Sequence, residues 1–174
     1  ALGYEYVGFL INNNILTQKE VARMEEAELT SELVILVIDG LQDRKKIDEY
    51  YSNYDEVFKK RKYVMETCRR VLDTIAEVTK DFLSESNFAK KPLFYSLFGV
   101  IHELSQKHTL HKKNYPKILT ALQNLENILD SELDELSPVS FKFYDASTKH
   151  VTDFSRRKLR HEVIKKYILM SLNR

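Results

Sequence analysis

The chain has 174 residues, of which 43% are apolar and 30% are charged, and its formal net charge is +1. This length and apolar share suit one domain with its own hydrophobic core. Four glycines and three prolines are few for this length, which favours long helices, because both residue types interrupt regular structure. A single cysteine excludes an internal disulfide and a zinc site built from cysteines.

Two further absences bear on where the protein works. No apolar run reaches the roughly 18 residues of a membrane span, and the first residues lack the basic segment followed by an apolar run of a secretory signal. The lone cysteine, Cys68, fits a reducing compartment. We therefore expect a cytoplasmic protein that does not enter the membrane. The chain starts at Ala1 rather than at methionine, which suggests a processed chain or a fragment of a longer protein.

The first half of the chain shows helical periodicity. A short helix is predicted over Tyr4–Asn12, and Thr17 and Glu20 then have the spacing of a capping box, in which each side chain bonds the backbone of the other residue. An apolar stripe predicts a helix over Glu25–Asp39, and Gly40 suits its end. Further helices are predicted around 44–51 and over 55–83, the second beginning at a capping Asp55.

In the second half, two prolines mark helix starts. After a loop at 84–91, Pro92 suits the first turn of one helix, and Pro116 suits the first turn of the next, whose leucine pattern continues to 136. The pattern then predicts an irregular segment at 139–147 and a last helix over about 148–172. The inward positions predicted for that helix are Val151, Phe154, Val163, Tyr167 and Met170. The expected fold is one all-α domain, residues 1–174, of six or seven packed helices.

The charge of the chain is unevenly distributed. Residues 142–174 contain nine Lys or Arg and only three Asp or Glu. This basic end could contact DNA or RNA, or it could dock on the acidic part of its own fold. The predicted nucleic-acid contacts are Arg156, Arg157, Arg160 and Lys165, and the alternative is that these residues form a solvated cationic face.

The spacing of Arg156 and His161 matches the R-x(4–6)-H pattern of HEPN ribonucleases, which are all-α. In that family the arginine and the histidine act on a phosphodiester and on the ribose 2′-hydroxyl. The pattern is short and arises easily by chance, and the basic Arg157 replaces the polar residue that usually follows the arginine. An RNase of this type is therefore the alternative interpretation.

Other candidate sites have simpler explanations. His102, His108 and His111 surround Glu103, but the H-E-x-x-H order of metalloproteases is absent and neighbouring lysines would repel a cation. Cys68 falls on an apolar helical stripe, where a buried thiol is the default. The carboxylates of Glu25, Glu26, Glu28 and Glu32 suit a helix N-terminus. We predict no catalytic residue, no metal ligand and no cofactor in this chain.

Several segments carry a resemblance to a known family. They are RMEEAELTSEL (23–33), IDGLQDRKK (38–46), YYSNYD (50–55), KPLFYSLF (91–98) and RRKLR (156–160). Together they resemble the helical part of GmrSD-type restriction proteins. In that family a helical segment follows an N-terminal ParB/sulfiredoxin-like domain, whose D-G-Q-Q-R type motif is linked to nucleotide hydrolysis, and some members add an HNH-type nuclease domain.

The chain lacks the motifs that carry chemistry in that family. The sequence DGLQD at 39–43 is not the D-G-Q-Q-R type motif, and no H-N-H pattern is present. The resemblance therefore implies a helical portion without the N-terminal nucleotide-hydrolysing domain, and none of the family's catalytic residues is assigned to this chain.

The function implied by the resemblance is that of a non-catalytic module in a bacterial restriction or phage-defence protein. Such a module would brace the nucleotide-hydrolysing and nuclease parts. The predicted interface with the missing N-terminal domain consists of Arg23, Glu28 and Glu32, which lie beside a largely apolar helix. DNA, RNA or a second copy of the chain are further possible partners. Besides the RNase, a helical protein-interaction domain is the remaining alternative.

Overall fold

The computed structural model describes residues 3–43, 49–50, 60–107 and 110–173. Within these ranges the regular structure is entirely helical, with nine α-helices in a single packed arrangement. The helices are α1 (Tyr4–Asn12), α2 (Gln18–Val21), α3 (Glu25–Asp39), α4 (Arg61–Thr79), α5 (Phe82–Glu85), α6 (Lys91–Lys107), α7 (Tyr115–Asp130), α8 (Pro138–Thr148) and α9 (Phe154–Leu172). Short 3₁₀ turns occupy Asn87–Ala89, Lys112–Asn114 and Leu133–Glu135.

The all-α prediction is confirmed, but the predicted number of helices was too low. Two of the nine helices, α2 and α5, have only four residues each. A helix of one turn has too few residues to show a periodic apolar pattern in the sequence. Most of the helix predicted around 44–51, and the Asp55 cap of the next one, lie outside the described residues.

The local signals at the beginning of the chain are confirmed. The backbone N–H of Thr17 donates to the Glu20 carboxylate at 2.7 Å, and the Glu20 N–H donates to the Thr17 hydroxyl at 3.2 Å, which forms the capping box at α2. Helix α3 has the predicted bounds, and it ends at Gly40, whose φ of +76° is cheap only for glycine. These features depend on neighbouring residues alone.

Two long helices end earlier than predicted. Helix α4 ends at Thr79, because Lys80 has a φ of +47° that no α-helix accommodates, and a separate turn, α5, follows. Helix α7 ends at Asp130, because Ser131 and Glu132 have extended backbones. Beyond the first break Leu83 is still buried, so the apolar spacing looks continuous there, whereas Leu133 beyond the second break is 52% exposed.

The prediction of an irregular segment at 139–147 was wrong, since these residues belong to α8. The Ser137 hydroxyl accepts from the backbone N–H of Ser140 at 3.2 Å, and Pro138 occupies the first helical position. Both are standard features of a helix start. The buried residues of α8 are Phe143, Ala146 and Ser147.

Helix α6 lies at the centre of the molecule. Ten of its seventeen residues are buried, and α3, α4 and α9 pack around it. Helix α9 also contacts α7 and α8. The largest fully buried side chains of the core include Phe88, Phe94, Phe98 and Phe143. In the described part of the chain, no helix combines the length and apolarity needed to cross a membrane.

The inward face of α9 is not the one predicted. Phe154 and Met170, two of the residues assigned inward, are 45% and 50% exposed, and Val151, Val163 and Tyr167 are half-buried. The residues that face the core are instead Arg157, Arg160, His161, Ile164 and Ile168. The helix also starts at Phe154 rather than near 148.

We expect Gly99→Ala to lower the free energy of unfolding by about 1–2 kcal/mol, the cost of overfilling a packed interior. A β-carbon at Gly99 would lie 3.1 Å from Leu36 Cδ1 and 3.2 Å from His161 Nδ1, and both side chains are buried. The matched control is Gly8→Ala in α1, where a β-carbon meets nothing within 4 Å. That change should raise stability by about 0.5–1 kcal/mol, since alanine favours helix. Urea denaturation measures the free energy of unfolding of both variants. A gain in stability from Gly99→Ala would contradict the close packing of α6 against α9.

Candidate functional site

The buried polar stripe of α9 consists of Arg157, Arg160 and His161. These residues occupy positions i, i+3 and i+4 of the helix, so they share one face. All three are buried, although each side chain is long and polar. Buried polar groups need hydrogen-bond partners, and the stripe finds most of them on α3, α6 and α8. The exception is His161 Nδ1, which is buried and has no hydrogen-bond partner among the described residues.

Arg160 is completely buried and binds three acceptors. Its Nε donates to the Ser96 hydroxyl at 3.1 Å, while Nη1 donates to the Ala146 carbonyl at 2.6 Å and Nη2 to the Val151 carbonyl at 2.7 Å. Ala146 lies in the last turn of α8, where carbonyls lack intrahelical partners and the helix dipole favours a cation. Burial, and then the charge of Arg157, lower the pKa of Arg160 to about 10. The guanidinium is therefore still charged near neutral pH.

Arg157 joins α9 to α3. Its Nη2 donates to Glu32 Oε2 at 2.5 Å, its Nη1 donates to the Gln42 carbonyl at 3.2 Å, and its guanidinium carbon lies 4.3 Å from the centre of the Tyr95 ring. Both members of the Arg157–Glu32 pair are largely buried. The aromatic face of Tyr95 adds a favourable cation–π contact.

His161 forms a pair with Glu103 of α6. Its Nε2 lies 2.7 Å from Glu103 Oε2, and the carboxylate also accepts from Lys107 at 2.6 Å and lies 3.5 Å from Lys165. Burial by itself would raise the pKa of Glu103, but the hydrogen bonds from Lys107 and His161 and the charge of Lys165 outweigh it and lower the pKa to about 2. Glu103 is therefore ionised near neutral pH.

The two residues of the RNase interpretation lie apart. Arg156 pairs with Asp145 of α8 at 2.5 Å, whereas His161 pairs with Glu103 of α6. Five residues along a helix correspond to a rotation of roughly 140°. The structure thus directs Arg156 and His161 toward different helices and does not bring them together around one reacting group.

A cleft of about 220 Å³ opens beside the stripe, between α3, α6 and α9. Lys91 at its edge bonds Glu20 at 2.7 Å and Glu25 at 2.6 Å. The Arg157–Glu32 pair lies in the same cleft. Cations and carboxylates thus neutralise one another along its walls, so the cleft has no strong preference for a ligand of either sign.

The predicted nucleic-acid residues divide into two groups. Arg157 and Arg160 are buried, so the alternative that all four residues form a solvated cationic face was wrong. Arg156 and Lys165 are partly exposed, but Arg156 pairs with Asp145, and Lys165 lies 3.1 Å from Glu162 and 3.5 Å from Glu103. Of the four residues predicted to contact nucleic acid, Arg156 and Lys165 are therefore the two that a nucleic acid could reach in this conformation.

The predicted interface residues also divide. Arg23 and Glu28 are exposed near the start of α3. Glu32 is engaged with Arg157 inside the molecule. Only Arg23 and Glu28 therefore remain on a surface that another domain could cover.

The remaining candidates fit structural roles. Cys68 is buried in the core, where burial raises its thiol pKa to about 12 and disfavours the reactive thiolate. The His102 side chain is partly buried, and burial, together with the charge of Arg70, lowers its pKa. His108 lies outside the described residues. Among the residues that are described, no group of three or more potential ligands could hold a metal ion.

Sequence reasoning missed the partners of the stripe. Ser96, Tyr95 and Glu103 lie on α6, about 60 residues before α9, and no local pattern links them to it. One signal was present: Arg157, Arg160, His161, Ile164 and Ile168 have the spacing of a buried helical face. The charges of the first three residues obscured it.

Comparisons with protein-family models, with curated proteins and with solved structures gave no match for this chain.

Arg160→Lys should lower the free energy of unfolding by about 3 kcal/mol. A single ammonium cannot reach three acceptors set around a planar guanidinium, and each buried acceptor left without a donor costs about 1–3 kcal/mol. The matched control is Arg156→Lys on the same helix, whose pair with Asp145 lies nearer the surface and whose loss should cost no more than about 1 kcal/mol. Equal effects in urea denaturation would refute the assigned role of Arg160.

Glu103→Gln should alter the pH dependence of stability. The folded pKa of Glu103 is about 2, below its ordinary value of 4.5, so the ionised carboxylate stabilises the fold above pH 4.5. That contribution is lost as pH falls from 4.5 toward 2. The difference in unfolding free energy between wild type and variant should be largest near neutral pH and shrink across this window. A constant difference would show that ionisation of Glu103 does not stabilise the fold.

Proposed function

We propose that this chain is the non-catalytic helical module of a GmrSD-like bacterial restriction or phage-defence protein, where it braces the nucleotide-hydrolysing and nuclease parts in the cytoplasm. One observation carries the non-catalytic part of this proposal. The two side chains of α9 with a catalytic interpretation are each bonded to another helix, Arg156 to Asp145 of α8 and His161 to Glu103 of α6. Side chains used in this way hold the bundle together. The link to the restriction family comes from the sequence resemblance.

The docking surface in this proposal is the start of α3. Arg23 is exposed there, Met24 is 69% exposed, and Glu28 lies one turn further along. An exposed apolar side chain between charged ones is typical of the composition of an interface. The proposed partner is the N-terminal nucleotide-hydrolysing domain of the same protein.

An RNase of HEPN type is the second candidate function. The close approach of His161 and Glu103, at 2.7 Å, favours it, because a carboxylate that orients an imidazole is common in acid–base catalysis. The separation of Arg156 from His161 and the burial of the histidine favour the non-catalytic role.

We expect the purified chain to hydrolyse neither ATP nor GTP and to leave RNA intact. Nucleotide turnover that persists through rigorous purification would overturn the non-catalytic assignment. RNA cleavage that is lost in His161→Ala, with helical content retained by circular dichroism, would establish the RNase instead. The encoding gene offers a direct check of the family, since a D-G-Q-Q-R type motif should lie upstream of this segment.

Arg23→Ala should impair the activity of the full-length protein while changing the stability of this chain by less than about 0.5 kcal/mol, as is usual for a surface residue. The reason is that Arg23 is exposed in this chain, whereas in the full-length protein it would contact the N-terminal domain. Lys113→Ala, at an exposed position near the start of α7, is the matched control and should leave both properties unchanged. An Arg23 effect equal in both contexts would indicate a purely local role.

A further inference from the structure

A partly buried carboxylate of α7 holds the short turn that precedes α6. The turn spans Asn87–Ala89, and its middle residue, Phe88, is fully buried in the core. Glu126 Oε1 accepts from the backbone N–H of Asn87 at 2.7 Å and from the Asn87 side-chain Nδ2 at 2.7 Å. These two hydrogen bonds join α7 to the turn, and through the turn to the start of the central helix α6.

The surroundings of Glu126 are unfavourable for a negative charge. Its second oxygen, Oε2, is buried and has no hydrogen-bond partner among the described residues, and a charged oxygen removed from water in this way is costly. Asp130 lies one turn further along α7, and its Oδ1 accepts at 3.0 Å from the same Asn87 nitrogen that bonds Glu126. Because both carboxylates bind one nitrogen, their two negative charges are held close together and repel each other.

Other contacts favour the ionised form of Glu126 but do not prevail. The two bonds from Asn87 donate to the carboxylate, and Lys90 brings a positive charge near it by donating to Asn87 Oδ1 at 2.6 Å. Of the charged groups on α7 and on the described elements packed against it, Asp130 and Lys90 act on Glu126 most strongly. Burial, with a smaller contribution from Asp130, outweighs Asn87 and Lys90 and raises the pKa of Glu126 above its ordinary value of 4.5.

We propose that Glu126 and Asn87 form a pH-sensitive latch, which holds the turn at 87–89 against α7 while Glu126 is protonated and opens more readily once Glu126 is ionised. When the latch opens, the ionised carboxylate regains water at Oε2 and moves away from Asp130. A carboxyl group that binds its proton more tightly in the closed latch than in water must favour the closed latch when it is protonated. The latch is independent of the docking surface on α3.

The sign of the pH effect follows from the raised pKa. The stabilising contribution of protonated Glu126 is fully present below pH 4.5, the ordinary value, and is lost as the pH rises through the raised pKa of the folded protein. Glu103 has the opposite behaviour, since its pKa is lowered to about 2 and its contribution is lost below pH 4.5. The two carboxylates therefore provide a matched pair for measurement.

The first test follows the side-chain carboxyl carbon of Glu126 by NMR during a pH titration of the whole chain, with the signal assigned by its loss in Glu126→Gln. The midpoint should lie above 4.5. Asp130→Asn should lower that midpoint, because it removes a neighbouring negative charge, whereas Lys90→Gln should raise it. Both substituted residues are exposed, so the fold should be retained. A midpoint at or below 4.5, or one that Asp130→Asn leaves unchanged, would overturn the proposal.

The second test compares urea midpoints across pH. Relative to Glu126→Gln, the wild-type midpoint should fall as the pH rises above 4.5, because only the wild type acquires the unfavourable charge. Any constant cost of burying the new amide cancels in this pH dependence. Relative to Glu103→Gln, the wild-type midpoint should stay constant over the same range, because Glu103 is already ionised there. A difference from Glu126→Gln that stays constant above pH 4.5, or that shifts in favour of the wild type, would refute the latch.

The third test locates the effect at the turn. The backbone N–H of Asn87 donates to Glu126, so its hydrogen-exchange protection reports whether the latch is closed. In the wild type, the protection factor of this amide should decrease as the pH rises above 4.5, whereas in Glu126→Gln it should not change with pH. The same pH dependence of protection in both proteins would show that ionisation of Glu126 does not open the latch.

Discussion

The guanidinium of Arg160 lies fully inside the molecule, and three helices depend on where its hydrogen bonds go. Its acceptors are the Ser96 hydroxyl on α6, the Ala146 carbonyl in the last turn of α8 and the Val151 carbonyl before α9. A buried charge without such partners would cost several kcal/mol. Because the guanidinium is planar and its donors are fixed in direction, the three acceptors must keep their relative positions. This one side chain therefore constrains how α6, α8 and α9 fit together.

Arg157 and His161, which lie beside Arg160 on the same face of α9, also constrain how the helices pack. Arg157 reaches α3 through Glu32 and the segment after it through the Gln42 carbonyl. One turn later, His161 reaches α6 through Glu103. Apolar contacts tolerate small shifts, but polar partners must match in position and charge, so the stripe selects one arrangement of the helices. Its polar side chains are thereby bonded inside the molecule.

Predictions from the sequence succeeded where the cause is local. The bounds of α3, the Thr17–Glu20 capping box and the start of α6 near Pro92 follow from residues within a few positions of each other. Predictions failed where apolar residues keep a helical spacing on both sides of a helix end, as at Lys80. The positive φ of Lys80 ends α4, but a lysine in the sequence does not indicate such a backbone. Helix α8 was missed even though Ser137 and Pro138 mark its start, because its apolar pattern is weak and half of its large apolar side chains are exposed.

The sequence by itself determined the all-α class, most of the helix starts and the burial of Cys68, because capping, proline placement and apolar periodicity act over short distances. Only the tertiary structure decided which face of α9 is inside. Whether an arginine can be buried depends on acceptors supplied by other helices: Glu32 for Arg157, and Ser96 and Ala146 for Arg160. A charged residue looks like a surface residue until those acceptors are known, because burial without them would be too costly.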